Sequence, residues 1–126
     1  MENLAKIKSF NNLLVWQKAH QLVILIYQET KLFPKDEQFG LTNQMRRSAV
    51  SITSNIAEGF YYQSIKTKIK FYVIARASLG ELKNQILISR DIKYLNSDKF
   101  NLINQKIIEV HKLLNCLISS CRKRGN

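Results

Sequence analysis

Between Asn12 and about Lys31 the apolar residues Trp16, Ala19, Leu22, Val23, Ile26 and Tyr27 return at steps of three and four. That is the period of a helix that buries one face. Pro34, in LFPKDEQFG, lacks a backbone donor and ends the run. A second helix is predicted over about 41–58, with Leu41, Met45, Ala49, Ile52 and Ile56 on its apolar face. Gly59 stands where a left-handed glycine closes many helices. The third helix, about 65–93, follows a stripe of Phe71, Ala75, Ser78, Leu79, Leu82, Ile86 and Ser89. YLNSDKF then breaks the pattern, offering Asn96 or Ser97 as an N-cap and Asp98 in the next first turn. The fourth helix, about 97–122, carries Phe100, Ile103, Ile107, Val110, Leu114, Leu117 and Cys121, a left-handed packing seam.

Connections this short join only neighbouring helices, so the expected fold is all-α: a single-domain, antiparallel up-down-up-down four-helix bundle spanning residues 1–126. One proline and four glycines are too few for the turns of an all-β chain. A chain of 126 residues buries roughly two thirds of its unfolded surface, enough for one core.

The second helix carries more than a core face. Gln44, Arg47, Ser51, Asn55 and Glu58 form a polar stripe beside it, and Val50 with Ala57 makes a smaller apolar strip on the far side. A helix apolar on two sides has two neighbours to satisfy, which makes Val50 and Ala57 candidates for an oligomer interface. Glu58, in the last turn, is disfavoured by the helix dipole by about 0.3–1 kcal/mol and calls for a cation from another helix or subunit. Arg76 is the expected partner, and Arg47, Asn55 and Glu58 are read as a structural polar network.

Charge adds a functional direction. Twenty Lys and Arg against nine Asp and Glu give +11, a balance that attracts polyanions. Within FYYQSIKTKIKFYVIAR, residues 60–76, Lys66, Lys68, Lys70 and Arg76 interleave with rings. Cations there can neutralise phosphates while rings stack on unpaired bases. Arg76, Lys83 and Arg90 recur every seven residues down the third helix, Arg46 adds a further candidate, and Lys106, Lys112 and the tail from Arg122 extend the positive surface. Any single lysine reads as solvated, but a face that merely keeps a protein soluble mixes both signs.

Other chemistries find little support. No paired carboxylates share a face, no Gly-rich phosphate loop occurs, and neither His20 nor His111 has a nucleophile or metal-ligand spacing. No catalytic residue, metal or cofactor is expected. Cys116 and Cys121, five apart on a helix, are separated by about 7.5 Å of rise, too far for a disulfide, and are expected to be reduced packing residues. Uncharged runs of about ten residues are shorter than the roughly 18 of a membrane span. With no secretory signal in the first residues, the expected compartment is the cytoplasm.

The series Phe10, Leu13, Trp16, Ala19, Tyr27, Thr30, FP at 33–34, Glu37, FGLT at 39–42, Gln44, RRSAVSI at 46–52 and NIAEG at 55–59, continued by Phe71, Ala75, Ser78, Glu81 and Gln85, resembles the 23S rRNA intervening-sequence protein family. The likeness covers about residues 10–120. It implies a bacterial four-helix bundle assembled as a ring-like homopentamer. In the branch similar to the accessory variability protein of diversity-generating retroelements, it implies a basic oligomer working with a reverse transcriptase and nucleic acid. The chain departs from the pattern at Thr53, where the family usually has a proline, and at Phe60, Tyr61 and Tyr62, where it often has basic residues. The expected function is that of a non-enzymatic, basic homo-oligomer binding nucleic acid, structured RNA foremost, through backbone electrostatics. The alternative is an interaction scaffold that docks an acidic partner protein.

Overall fold

The computed structural model describes residues 4–125. Short 3-10 turns at Leu4–Lys6 and Phe10–Asn12 lead into α1 (Leu14–Thr30). Another, Lys35–Glu37, precedes α2 (Leu41–Tyr61), and α3 (Ile65–Asp91) and α4 (Ser97–Gly125) follow. Each helix packs on two others, α1 and α3 both lying between α2 and α4, while helices across a diagonal make no close backbone approach. The cross-helix contacts run in opposite directions along three of the four neighbouring pairs, which sets α1 antiparallel to α2 as well. Ser51 meets Ser78 and Met45 meets Ser89. Arg76 meets Asn115 and Lys83 meets Asn104, and Gln21 meets Lys106 as Glu29 meets Lys99. This is the expected up-down-up-down bundle, with α2 and α4 running on past their predicted ends.

The core is built from the predicted stripes with two local shifts. All five apolar positions of α2 and all seven of the α4 seam are buried. On α3 the buried ring is Tyr72 (2% exposed) rather than Phe71, which lies half-buried and stacked on Tyr62 at 5.0 Å. Around α1, Leu13 just before it and Val15 within it enter the core, while Tyr27 is 38% exposed and Trp16 half-buried. Trp16 stacks on His20 at 4.6 Å, and Tyr27 lies under the Arg46 guanidinium. Rings with a polar edge or a cation partner suit the boundary of a core, where one face is dry and the rim wet. Cys121 is buried, but Cys116 is exposed and is not a packing residue.

Gly59 departs further from expectation. It lies inside α2, is buried, and no glycine among the described residues has a positive φ. A Cβ at Gly59 would lie 2.7 Å from Tyr72 Cε1 and 3.1 Å from Phe71 Cβ. The glycine therefore lets α2 and α3 approach closely, and α2 continues two residues beyond it. Thr53, where the resemblance implies a proline, keeps α2 unbroken and donates its hydroxyl back to the Val50 carbonyl at 2.9 Å.

The left-handed cap occurs instead at Lys93, with φ 69°. Its N–H donates to Arg90 O at 3.0 Å, and Tyr94 N–H donates to Ser89 O at 2.8 Å, the paired bonds of a Schellman ending. A lysine there carries a Cβ penalty that glycine escapes. Lys93→Gly is expected to stabilise the fold by about 1 kcal/mol, read as a higher urea midpoint at unchanged slope.

Helix starts follow local chemistry. Asn96 Oδ1 accepts from Lys99 N–H at 2.9 Å and caps α4, and Ser64 Oγ accepts from Thr67 N–H at 3.3 Å at the start of α3. At α2 the cap comes from Glu37, whose Oε1 accepts from Leu41 N–H at 3.2 Å. Gly40 makes room for it, since a Cβ there would lie 2.6 Å from that oxygen. The other Glu37 oxygen accepts from the Tyr94 hydroxyl at 3.0 Å, which pushes the Tyr94 pKa up.

Candidate nucleic-acid interface

Heptad spacing on α3 places Arg76, Lys83 and Arg90 along the edge that faces α4. Arg76 Nη1 donates to Asn115 Oδ1 at 2.9 Å, and Lys83 Nζ donates to Asn104 Oδ1. Lys83 Nζ lies 5.5 Å and the Arg90 guanidinium 4.7 Å from the centroid of the Phe100 ring. Amide carbonyls and a ring orient these cations without cancelling their charge. Arg90 alone meets a carboxylate, that of its neighbour Asp91, at 2.9 Å. Between Arg76 and Lys83 the α3–α4 surface opens into a cavity of about 270 Å³.

The other cations divide among separate places. Lys66 and Lys70 are exposed in the first turns of α3, and among the described residues neither has a polar partner. Nearby, Tyr61 and Tyr62 are exposed, while Phe60 is half-buried. Lys68 turns inward. Its Nζ donates to Gly59 O at 3.2 Å and Phe60 O at 2.7 Å, and burial lowers its pKa. An ammonium on the last carbonyls of α2 offsets the negative end of that helix. Lys68 is thus committed to closing α2 through its carbonyls, while Arg76, the expected partner of Glu58, bonds Asn115 instead.

Glu58 is exposed, and among the described residues neither it nor Arg47 has a hydrogen-bonding or ion-pair partner. Asn55 donates to Ser51 O at 2.8 Å and Ser51 Oγ at 3.1 Å, and Ser51 Oγ meets Ser78 Oγ at 2.8 Å across α2 and α3. The predicted network of Arg47, Asn55 and Glu58 is therefore replaced within the subunit by Asn55, Ser51 and Ser78. Arg47 instead lines a polar cleft of about 500 Å³ between α2 and α3 with Glu81 and Gln85. Gln85 Oε1 is buried there without a hydrogen-bond partner.

Arg46, the residue preceding Arg47 on α2, is bound to α1. Its Nε donates to Thr30 Oγ1 at 2.9 Å, and its guanidinium lies 4.6 Å from the Tyr27 centroid. Arg46, Arg47 and Val50, the last 38% exposed, border one hollow between α1 and α2, and Ala57 is half-buried. Sequence reasoning missed the pair of Glu29, buried in the last turn of α1, and Lys99, in the first turn of α4, at 3.0 Å. Each stands at the helix end its charge disfavours, and only their meeting across two helices explains them.

No helix among the described residues is long and apolar enough to cross a membrane. Those residues also hold no cluster of three or more His, Cys, Asp or Glu that could bind a metal.

The family model for the 23S rRNA-intervening sequence protein matches residues 11–116. Among solved structures, a protein of unknown function from the S23 ribosomal protein family, from Bacteroides thetaiotaomicron, is similar with a TM-score of 0.75 and 25% identity. The match covers 83% of this chain and 98% of that one. No curated protein matches the chain.

Proposed function

The chain belongs to the 23S rRNA-intervening sequence protein family, and from that premise we propose that it is a basic, non-enzymatic homo-oligomer that binds structured RNA through phosphate contacts. The observation that carries this reading is the row of Arg76, Lys83 and Arg90, held along the α3–α4 edge by groups that leave most of its charge uncancelled. A net charge of +11 per chain adds a field that recruits polyanions before any specific contact forms. Lys66 and Lys70 extend the surface, while Arg46 and Lys68 serve the fold.

Self-association supports the reading by summing this charge over copies. Val50 and Ala57 are the strip offered for it, and the family resemblance favours five copies. Light scattering checks this part. Joint substitution Val50→Glu and Ala57→Glu lowers the mass to that of one chain at unchanged helix content; an unaltered mass refutes the interface.

A filter-binding titration tests the RNA reading. For single strands log K falls by about 0.7 per contacted phosphate per decade of salt, so three contacts give a slope near −2. Affinity that stays constant between low and physiological salt removes phosphate contacts as its source. A protein-docking role is the second reading, favoured by the α2–α3 cleft, where Arg47 and Glu81 have no polar partner among the described residues and Gln85 Oε1 is buried without one. A partner protein retained after nuclease treatment supports that reading over RNA.

A further inference from the structure

The cavity between α3 and α4 is amphipathic in a way that a phosphate-binding edge alone does not require. Its floor is aliphatic, with Leu79 and Ile107 buried and Ile108 half exposed at 46%. Its rim carries Arg76 and Lys83, two turns apart on α3, with Asn104 and His111 facing them from α4. No carboxylate lines it. The space sits at the small end of ligand pockets, too small for a helix or a folded partner and suited to one flat heterocycle.

Gly80 opens this cavity. It lies in the middle of α3, where glycine weakens a helix relative to alanine. No positive φ demands it, and a Cβ built there meets nothing within 4 Å. Packing therefore gives no reason for glycine at this position, in contrast to Gly59, whose Cβ would strike Tyr72. Its effect is to leave space above Leu79 clear of side chain.

We propose that this cavity receives one unpaired base of the bound strand, its ring on Leu79, Ile107 and Ile108 and its flanking phosphates on Arg76 and Lys83. Asn104 Oδ1 accepts from Lys83 Nζ and His111 Nε2 lies 3.5 Å from Asn115 Nδ2, so both border the cavity as partners of its rim. The inference rests on the phosphate-binding reading and deepens it by naming the ligand: a single-stranded or looped-out nucleotide rather than a duplex. Proteins that read RNA loops take unstacked bases out of the helix and hold them on rings or Arg guanidinium planes; here Arg76 is the lining group of that kind.

Gly80→Leu tests it in the full-length protein. The substitution fills the cavity, leaves the charge unchanged and improves helix propensity. The probes are a short oligouridylate and an RNA duplex of the same length, titrated across salt. The expected result is a roughly tenfold loss for the oligouridylate at unchanged salt slope, with duplex binding unaltered. Ile108→Gln, at a half-exposed floor position, repeats the loss should Gly80→Leu melt early.

Parental oligouridylate affinity in both Gly80→Leu and Ile108→Gln overturns the base site and leaves the phosphate reading standing. An equal loss on the duplex overturns it as well, since a duplex has no base to insert. A parent protein whose binding ignores salt overturns the phosphate reading itself.

Discussion

Joint replacement of Arg76, Lys83 and Arg90 by glutamine is expected to weaken RNA binding about a hundredfold near 0.1 M salt. The magnitude follows from counterion release: three contacts at about 0.7 each give about two decades of affinity per decade of salt. The slope of log K against log salt should become shallower by about 2. Glutamine keeps much of each stem and its hydrogen-bonding capacity. The groups removed are held by Asn115, Asn104, Asp91 and the Phe100 ring at the surface, so each change costs the fold about 0.5 kcal/mol. The control is a second triple, Lys8, Lys31 and Lys35 to glutamine, which removes the same formal charge from exposed positions elsewhere. Equal losses in the two triples would mean that net charge alone binds RNA and that the α3 row has no special part.

Gly59→Val is expected to cost about 3 kcal/mol, at the upper end of overpacking penalties, and to lower the melting temperature by about 10 °C. The first added carbon meets Tyr72 at 2.7 Å. Because Tyr72 is 2% exposed and enclosed by the core, its ring has nowhere to move, and the helices must separate. Separation would also draw the Gly59 and Phe60 carbonyls away from Lys68 and uncap α2. Gly59→Asn discriminates between the two roles a glycine can have here. At a left-handed cap asparagine is tolerated; at a packed crossing it costs more than alanine because it is larger. Thermal melts that rank asparagine above alanine would return Gly59 to a capping role.

The two glycines show what a single sequence makes legible. The pattern put Gly59 just past a helix end, as a cap, and gave Gly80 no role, yet both lie inside helices. Across the α2–α3 crossing one is pressed against a ring, while the other faces open space. Phe71 and Tyr72 pose the same problem. Adjacent residues lie about 100° apart on a helix, so both border the apolar stripe, and the helix rotation set by neighbouring elements decides which ring goes in. The cations were legible as a population. Heptad spacing on α3 correctly joined Arg76, Lys83 and Arg90 on one edge, because spacing along one helix fixes direction. It said nothing about Lys68, whose alternation with Lys66 and Lys70 suggested a common role but whose side chain reaches back to the end of α2.

Four helices, their order, most of the buried face of each and the excess of positive charge were set by the sequence alone. Those features depend on period and composition, which a chain carries before it folds. Tertiary structure decided which side chains meet: Asn55 with Ser51 and Ser78, Glu29 with Lys99, Lys68 with two carbonyls, and the opening over Gly80. Such meetings depend on the axial offset and separation of helices, and those are fixed jointly by side chains distant in sequence, with no local pattern to record them.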